Sequence, residues 1–587
     1  MLKDLLRRHP ARVVFVGALL AFLFLAPGSR AQTQPISSRL PADTLGYIEW
    51  SGKASLADMQ KKNYVLQLYA DPDLKPLWNA IAGKLNAAGT GATGGVATNM
   101  FLSLLENPLA AGVVLNQSGV AAMYTTGHPL PFGFFIVYDA AGKMELIRSL
   151  LTLREASDTV SCKAPPSAPY DFEGTPVRVS QSCGGGKFYT AEAQNYFLAS
   201  DQKRIIERLI ANVRPAAGTA SQDKAATSLG EVPEYQAMRK YLGSEGSAEM
   251  FALVPKLDKF IPPGKASSPA VQVLERLHLE KIHAFGETIS FAGEATRTRG
   301  AVLGDTSSPS LFDIMGANST TFLTQPLASL GPSLCIYRLD LPATYRFIRA
   351  AVSVAPDSQQ AATLAQFEMA AQSYLGMPIE DALGLFTGEV AYVTTYSDEG
   401  VLQPVFAATI QKPDDVLRVL GAVGGQMIVA EDSRGATTYL DLFYPYVDPQ
   451  TRKQRKKFYY LAVTPQMILG APRKAMLRSA VELAGEPSAD APAKGILASP
   501  DYASLRSLLP EKLSGFAAED LARIPFEKIL ANLSDSIAQA SKPSKAHPPD
   551  LSWLKLIKPE VISRHVHVVV SGWWKNPSGI YFDSYVQ

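Results

Sequence analysis

Three groups of residues in this 587-residue chain have the types and spacing for chemistry. The first is a cysteine pair, Cys162 and Cys183, flanking Pro165, Pro166, Pro169 and a strand. In an oxidising compartment they can form a disulfide that stabilises the fold by about 3 kcal/mol through loop closure. Two free thiols are the alternative. The second is Arg452, Lys453, Arg455, Lys456 and Lys457, five positive charges within six residues. Tyr439, Phe443, Tyr444, Tyr446, Phe458, Tyr459 and Tyr460 surround them on two strands. Charge beside amphipathic rings suits an anionic lipid, lipopolysaccharide or a polyanionic glycan. The plainer alternative is a solvated hairpin tip whose charge keeps sheet edges apart. The third is His565 and His567, two apart on an alternating strand, so both would face one way. A metal would need a third ligand, and no motif nearby completes the set.

Other candidates are structural. Cys335, in Ser333-Leu334-Cys335-Ile336-Tyr337, reads as a buried free thiol in a strand. Glu380 and Asp381 stand at a helix start, where the dipole favours acids without catalysis. Gly184-Gly185-Gly186-Lys187 lacks the upstream glycine of a phosphate loop and reads as a hairpin turn. There is no Gly-x-Ser-x-Gly, His-Glu-x-x-His or Cys-x-x-Cys. The expectation is therefore no catalytic residues, no cofactor and no metal.

These residues must be held by a chain that is 47% hydrophobic and 19% charged, too apolar for disorder. Residues 1–31 read as a signal peptide. Arg7, Arg8 and Arg12 precede an apolar core from Val13 to Pro27, and Ser29-Arg30-Ala31 supplies small residues before Gln32. Cleavage after Ala31 is expected, with an uncleaved anchor as the rival. The leader carries +4 of a net +2, so the remainder is near neutral, at −2, and has no field to draw nucleic acid.

The remainder repeats itself. Thr44–Trp50 matches Ser333–Leu339, and Phe132–Tyr138 matches Val405–Ile410. Helices Lys143–Leu151 and Pro413–Leu420 follow. Tyr196–Ser200 matches Met467–Ala471, and each runs into a one-sided helix. Pro233-Glu234-Tyr235 matches Pro500-Asp501-Tyr502. Each copy closes on a strand pair, His283–Ala292 with Ala295–Leu303 and His565–Trp573 with Gly579–Val586. The alternation in these strands predicts sheets with one buried face. The expected fold class is α+β: two tandem related units, each an antiparallel sheet packed with helices. The boundaries are 1–31 leader, 32–312 first unit, 313–322 linker and 323–587 second unit. Stretches 213–227 and 541–549 have loop composition.

The opening Leu40-Pro41-Ala42-Asp43-Thr44-Leu45-Gly46-Tyr47 resembles that of the bacterial exported domain-of-unknown-function family 3352. Leu375-Gly376-Met377-Pro378-Ile379-Glu380-Asp381-Ala382-Leu383 with Phe386-Thr387-Gly388-Glu389-Val390-Ala391 resembles its helix-to-strand passage. The resemblance implies architecture and export, and it brings no catalytic residues. The expected function is a non-enzymatic, exported cell-envelope protein, periplasmic or extracellular. It would bind an envelope partner or an apolar or anionic ligand, with weak anionic membrane or glycan contact through Arg452 to Lys457. An envelope hydrolase with dispersed catalytic residues and a structural surface protein are the alternatives.

Overall fold

A computed structural model describes residues 35–52, 57–80, 117–125, 132–162, 168–181, 186–214, 228–243, 246–254, 278–291, 293–352, 359–425, 427–447, 454–485, 495–532, 556 and 558–587. The leader with its cleavage point after Ala31, the Cys162–Cys183 pairing, Arg452, Lys453, segment 541–549 and most of 213–227 fall outside the described residues. The fold is α+β, with antiparallel sheets and packed helices. Contacts divide it into two compact units, Met1–Pro263 with Ile282–Leu303, and Gly264–Lys281 with Gly304–Gln587.

The first unit runs β1 (Thr44–Trp50), α1 (Ala57–Gln60), α2 (Tyr64–Ala70), β2 (Gly119–Thr125), β3 (Phe132–Asp139), α3 (Met144–Cys162), β4 (Ala168–Phe172), β5 (Thr175–Gln181), β6 (Lys187–Ala193), β7 (Tyr196–Ser200), α4 (Lys203–Val213), α5 (Pro233–Leu242), β8 (Ala248–Leu253), β9 (Ile282–Ser290) and β10 (Thr296–Gly304). Its pairings give the order β4-β5-β6-β7-β3-β2-β1-β8-β9-β10. Every ladder from β4 to β9 is antiparallel. Helix α4 shows why the sequence folds this way. Ile205, Ile206, Leu209, Ile210 and Val213 recur on one helical face and are all buried, each worth roughly 1.5–3 kcal/mol. They lie on β6 and β7. On the other face of the sheet, Ile48, Trp50, Ile136 and Tyr138 pack with Ile147, Met144 and Leu151 of α3. Helix α3 extends well past Leu151, because no glycine or proline interrupts residues 152–162. Strand β1 is thus buried on both faces.

The second unit runs β11 (Ser333–Arg338), α6 (Leu341–Val352), α7 (Gln359–Leu375), α8 (Ile379–Leu383), β12 (Phe386–Tyr396), β13 (Leu402–Ile410), α9 (Pro413–Gly424), β14 (Ile428–Arg434), β15 (Thr437–Val447), β16 (Gln454–Val463), β17 (Met467–Ala471), α10 (Lys474–Gly485), α11 (Pro500–Arg506), β18 (Gly515–Asp520), α12 (Pro559–His565), β19 (Val568–Asn576) and β20 (Gly579–Val586). Its order is β14-β15-β16-β17-β13-β12-β11-β18-β19-β20, antiparallel throughout. Helix α9 covers only part of one face. Val416, Leu417, Val419 and Leu420 pack with Ala408, Ile410, Ile468, Leu461 and Leu440.

Two local readings change. Residues 313–322, expected as a linker, are built into this second unit. Phe322 packs edge-on against Phe516 at 5.3 Å, and Ser319 and Leu513 exchange backbone hydrogen bonds of 2.7 and 2.9 Å. Polar composition does not free a segment whose backbone groups are paired. His565 is not on a strand. It ends α12, and β19 starts at Val568. Proline at the first helical turn, Glu560 after it, and Arg564 and His565 in the last turn all favour a helix there. The two histidines therefore share no strand face.

Candidate functional site

The candidate site is a face of the second sheet that the described residues leave uncovered. In β11, Leu334 and Ile336 are fully buried while Cys335 and Tyr337 alternate to the other side. Register carries that side across the sheet. Tyr337 lies opposite Gly515, and Gly515 opposite Trp573. Cys335 lies opposite Tyr392, and Tyr392 opposite Phe406. Tyr337 and Tyr392 remain 43% and 38% exposed although both stand in the middle of the sheet. Central strands expose large rings only where no helix covers them, and α9 stops at the cluster around Leu440 and Ile468.

Two glycines let the rings lie across the strands. A Cβ at Gly515 would stand 2.5 Å from the Trp573 indole nitrogen, and one at Gly470 would run into the Phe406 ring. The indole thus covers Gly515 and reaches Tyr337, centroids 4.9 Å apart. Phe406 covers Gly470 and stacks on Tyr459 at 5.8 Å, with only 7° between the ring planes. Aromatic side chains filling the space over a strand glycine fix their own rotamers. The result is a preformed row of Trp573, Tyr337, Tyr392, Phe406 and Tyr459. Ser571 and Ser584, whose hydroxyls are 2.7 Å apart, and Glu519 border it.

The basic segment joins this face. Strand β16 begins at Gln454, so Arg455, Lys456 and Lys457 are strand residues paired with Tyr446, Pro445 and Tyr444. Lys457 shares its face with Tyr459 and with Tyr444, which is 40% exposed. Tyr439, Phe443, Phe458 and Tyr460 alternate to the opposite face, so the aromatic group seen in the sequence divides in two. The adjacent Trp573 and Trp574 divide likewise. Trp573 is in the open row, and Trp574 stacks on Tyr581 at 6.1 Å.

Burial sets the electrostatics of Cys335, Tyr337 and Tyr459 on this face. Burial raises the Cys335 thiol above its ordinary pKa, which suppresses the thiolate that a nucleophile needs. Its hydrogen bond with Tyr337, followed by burial, pushes that phenol up to about 12. Burial pushes Tyr459 up to about 12 as well. Tyr337 and Tyr459 therefore remain neutral at physiological pH. Among the described residues no cluster of three His, Cys, Asp or Glu side chains can hold a metal.

Cys335 is free and half-buried, not sunk in the core, because strand alternation hands the core to Leu334 and Ile336. It reports on the open face. Thiol labelling at pH 7.5 is expected to proceed measurably in the native protein, and more slowly than for a cysteine in denaturant. Complete protection over hours would show that something covers the row.

A second polar constellation lies inside the first unit. Glu49 of β1 stands directly opposite Glu249 of β8. Tyr47 and Arg239 both donate to Glu249, while Glu49 accepts from the amides of Ile36 and Ser37 at 2.9 and 3.3 Å. Ser37 and Tyr235 hydroxyls lie 3.0 Å apart beside them. Burial raises both carboxyls, Glu249 to about 7. Tyr47, Tyr235 and Phe251 close over it. The second unit has a counterpart in Glu389, which accepts from the Thr324 amide and hydroxyl, both at 2.7 Å. In each unit a carboxylate holds the short 3-10 turn that leads into the first strand. These are fastening devices, and their partners satisfy them internally.

No family model, no curated protein and no solved structure matches the chain.

Proposed function

We propose that the chain is an exported, non-catalytic binding protein of the cell envelope, and that its second unit holds an anionic glycan against the open aromatic row. One observation carries this reading: Trp573, Tyr337, Tyr392, Phe406 and Tyr459 share one partly exposed face in the middle of a sheet, with ring pairs Tyr337–Trp573 and Phe406–Tyr459 and with Lys457 on the same face. Sugar rings present C–H faces to aromatic rings and hydroxyls to phenols and serines, and a basic edge adds affinity for acidic substituents. The leader-like residues 1–31 support export. The matching strand orders of the two sheets support a duplication in which one copy kept its face covered by α3 and the other opened it.

The test is a tryptophan-fluorescence titration with dextran sulfate, neutral dextran and phosphatidylglycerol vesicles at low and high salt. Saturable, salt-sensitive binding of dextran sulfate is expected, with neutral dextran weaker. A Tyr337→Ala/Trp573→Ala variant, read by retention on immobilised dextran sulfate, should bind at least tenfold more weakly while still unfolding cooperatively. Replacing Arg452, Lys453, Arg455, Lys456 and Lys457 by Ser should flatten the salt dependence. Binding to vesicles alone would replace the glycan with a membrane surface. Binding to none of the three would overturn the reading.

A further inference from the structure

The opposite face of the same sheet carries a concave feature. Strands β14, β15 and β16 and helix α10 enclose a cleft of about 110 Å³. Asp432 and Arg434 enter from β14, Asp441 from β15, and Lys474 and Arg478 from α10, with Leu477 buried at the base. Strand register brings Asp432 beside Tyr439 and Asp441 beside Tyr460. The charges are arranged in pairs. Arg434 donates to Asp432 at 3.0 Å and Lys474 to Asp441 at 2.6 Å. Each cation also lies over a ring, Arg434 over Tyr439 at 6.0 Å and Lys474 over Tyr460 at 5.4 Å. Arg478 has no acid partner among the described residues. Three cations thus face two acids, leaving one positive charge in excess.

We propose that this cleft binds a compact hydroxylated carboxylate, of which a uronic acid is the model. Three observations select that class. The volume is well below the roughly 300–1,000 Å³ of pockets that enclose whole cofactors, so the cleft takes one acidic group and the ring edge beside it. The single excess charge matches a monoanion. A dianion would meet Asp432 and Asp441 with uncompensated repulsion. The free guanidinium of Arg478 offers two parallel donors to a carboxylate, while Asp432 and Asp441 retain lone pairs for hydroxyl donors on the ligand. A carboxylate without hydroxyls uses half of this set, and a neutral sugar uses the other half.

This inference rests on residues outside the aromatic row and stands or falls separately from the proposed function. Saturation-transfer NMR on the full chain, with glucuronate, glucose and acetate as probes, tests it. Glucuronate should give a saturable signal, with glucose and acetate at least tenfold weaker. Arg478→Ser should weaken glucuronate at least tenfold, and Arg478→Lys by less. Lys240→Ser, which removes an exposed cation from α5 of the first unit, should leave glucuronate binding unchanged. Absence of saturable glucuronate binding, equal response to glucose, or an unaffected Arg478→Ser variant would overturn the proposal. Since Arg478 is an exposed helix residue, loss of folding does not confound the result. Arg434→Gln gives an independent second variant, expected to weaken glucuronate as well.

Discussion

Arg239→Ala is expected to destabilise the first unit by about 3–5 kcal/mol at pH 8, the cost of leaving buried charge uncompensated. Arg239 is the cation that serves two facing carboxyls, Glu49 and Glu249, and it is itself largely buried. Its removal leaves two acids opposite each other on neighbouring strands, and one or both must hold a proton. The cost should therefore shrink at pH 5, where protonation relieves it. The wild-type protein should show the same sign more weakly. Burial, aided by Glu49, lifts Glu249 from 4.5 to about 7 against the pull of Arg239. An acid whose pKa is higher in the folded state holds its proton more tightly there. Its contribution favours folding below about pH 4.5 and is withdrawn as the pH rises through 7, on the order of 3 kcal/mol in all. Glu249→Gln keeps an oxygen for the Tyr47 hydroxyl and leaves Glu49 to Arg239. It should cost less than Arg239→Ala and flatten the pH dependence. Urea unfolding of the three proteins at pH 5 and 8 measures this. Equal costs for Arg239→Ala at both pH values would refute the shared-cation account.

Glu389→Ala should be nearly as damaging to the second unit, at about 3 kcal/mol. The side chain is 2% exposed and accepts both the amide and the hydroxyl of Thr324. Truncation strands a buried amide donor, which costs about 1–3 kcal/mol, and opens a cavity in addition. Glu389→Gln retains one acceptor oxygen, and a loss near 1 kcal/mol is expected. The shift in denaturation midpoint at unchanged slope gives both values. If Glu389→Gln were as costly as Glu389→Ala, charge rather than hydrogen bonding would be holding the turn.

The sequence by itself determined many of the elements. Tyr196–Ser200, Met467–Ala471 and Gly579–Val586 are strands at the ends read from alternation and turn residues, and α4 buries the face that its spacing marks. Such elements are legible because periodicity is local: a period of two or 3.6 residues is complete within one segment. The tertiary structure alone decided which sheet face stays open. In Ser333-Leu334-Cys335-Ile336-Tyr337 all the large side chains look like core, and among the described residues the extent of α9 leaves Tyr337 and Tyr392 exposed while Ile48, on the first sheet, is covered. The basic run from Arg452 reads as a loop because charge density is visible in sequence and strand register is not. Pairing of Lys457 with Tyr444 turns it into part of a face. Glu49 and Glu249 lie far apart along the chain and meet only because β8 pairs with β1. Contacts of that kind depend on long-range pairing, whose energy is shared over whole strands and leaves no mark at either residue.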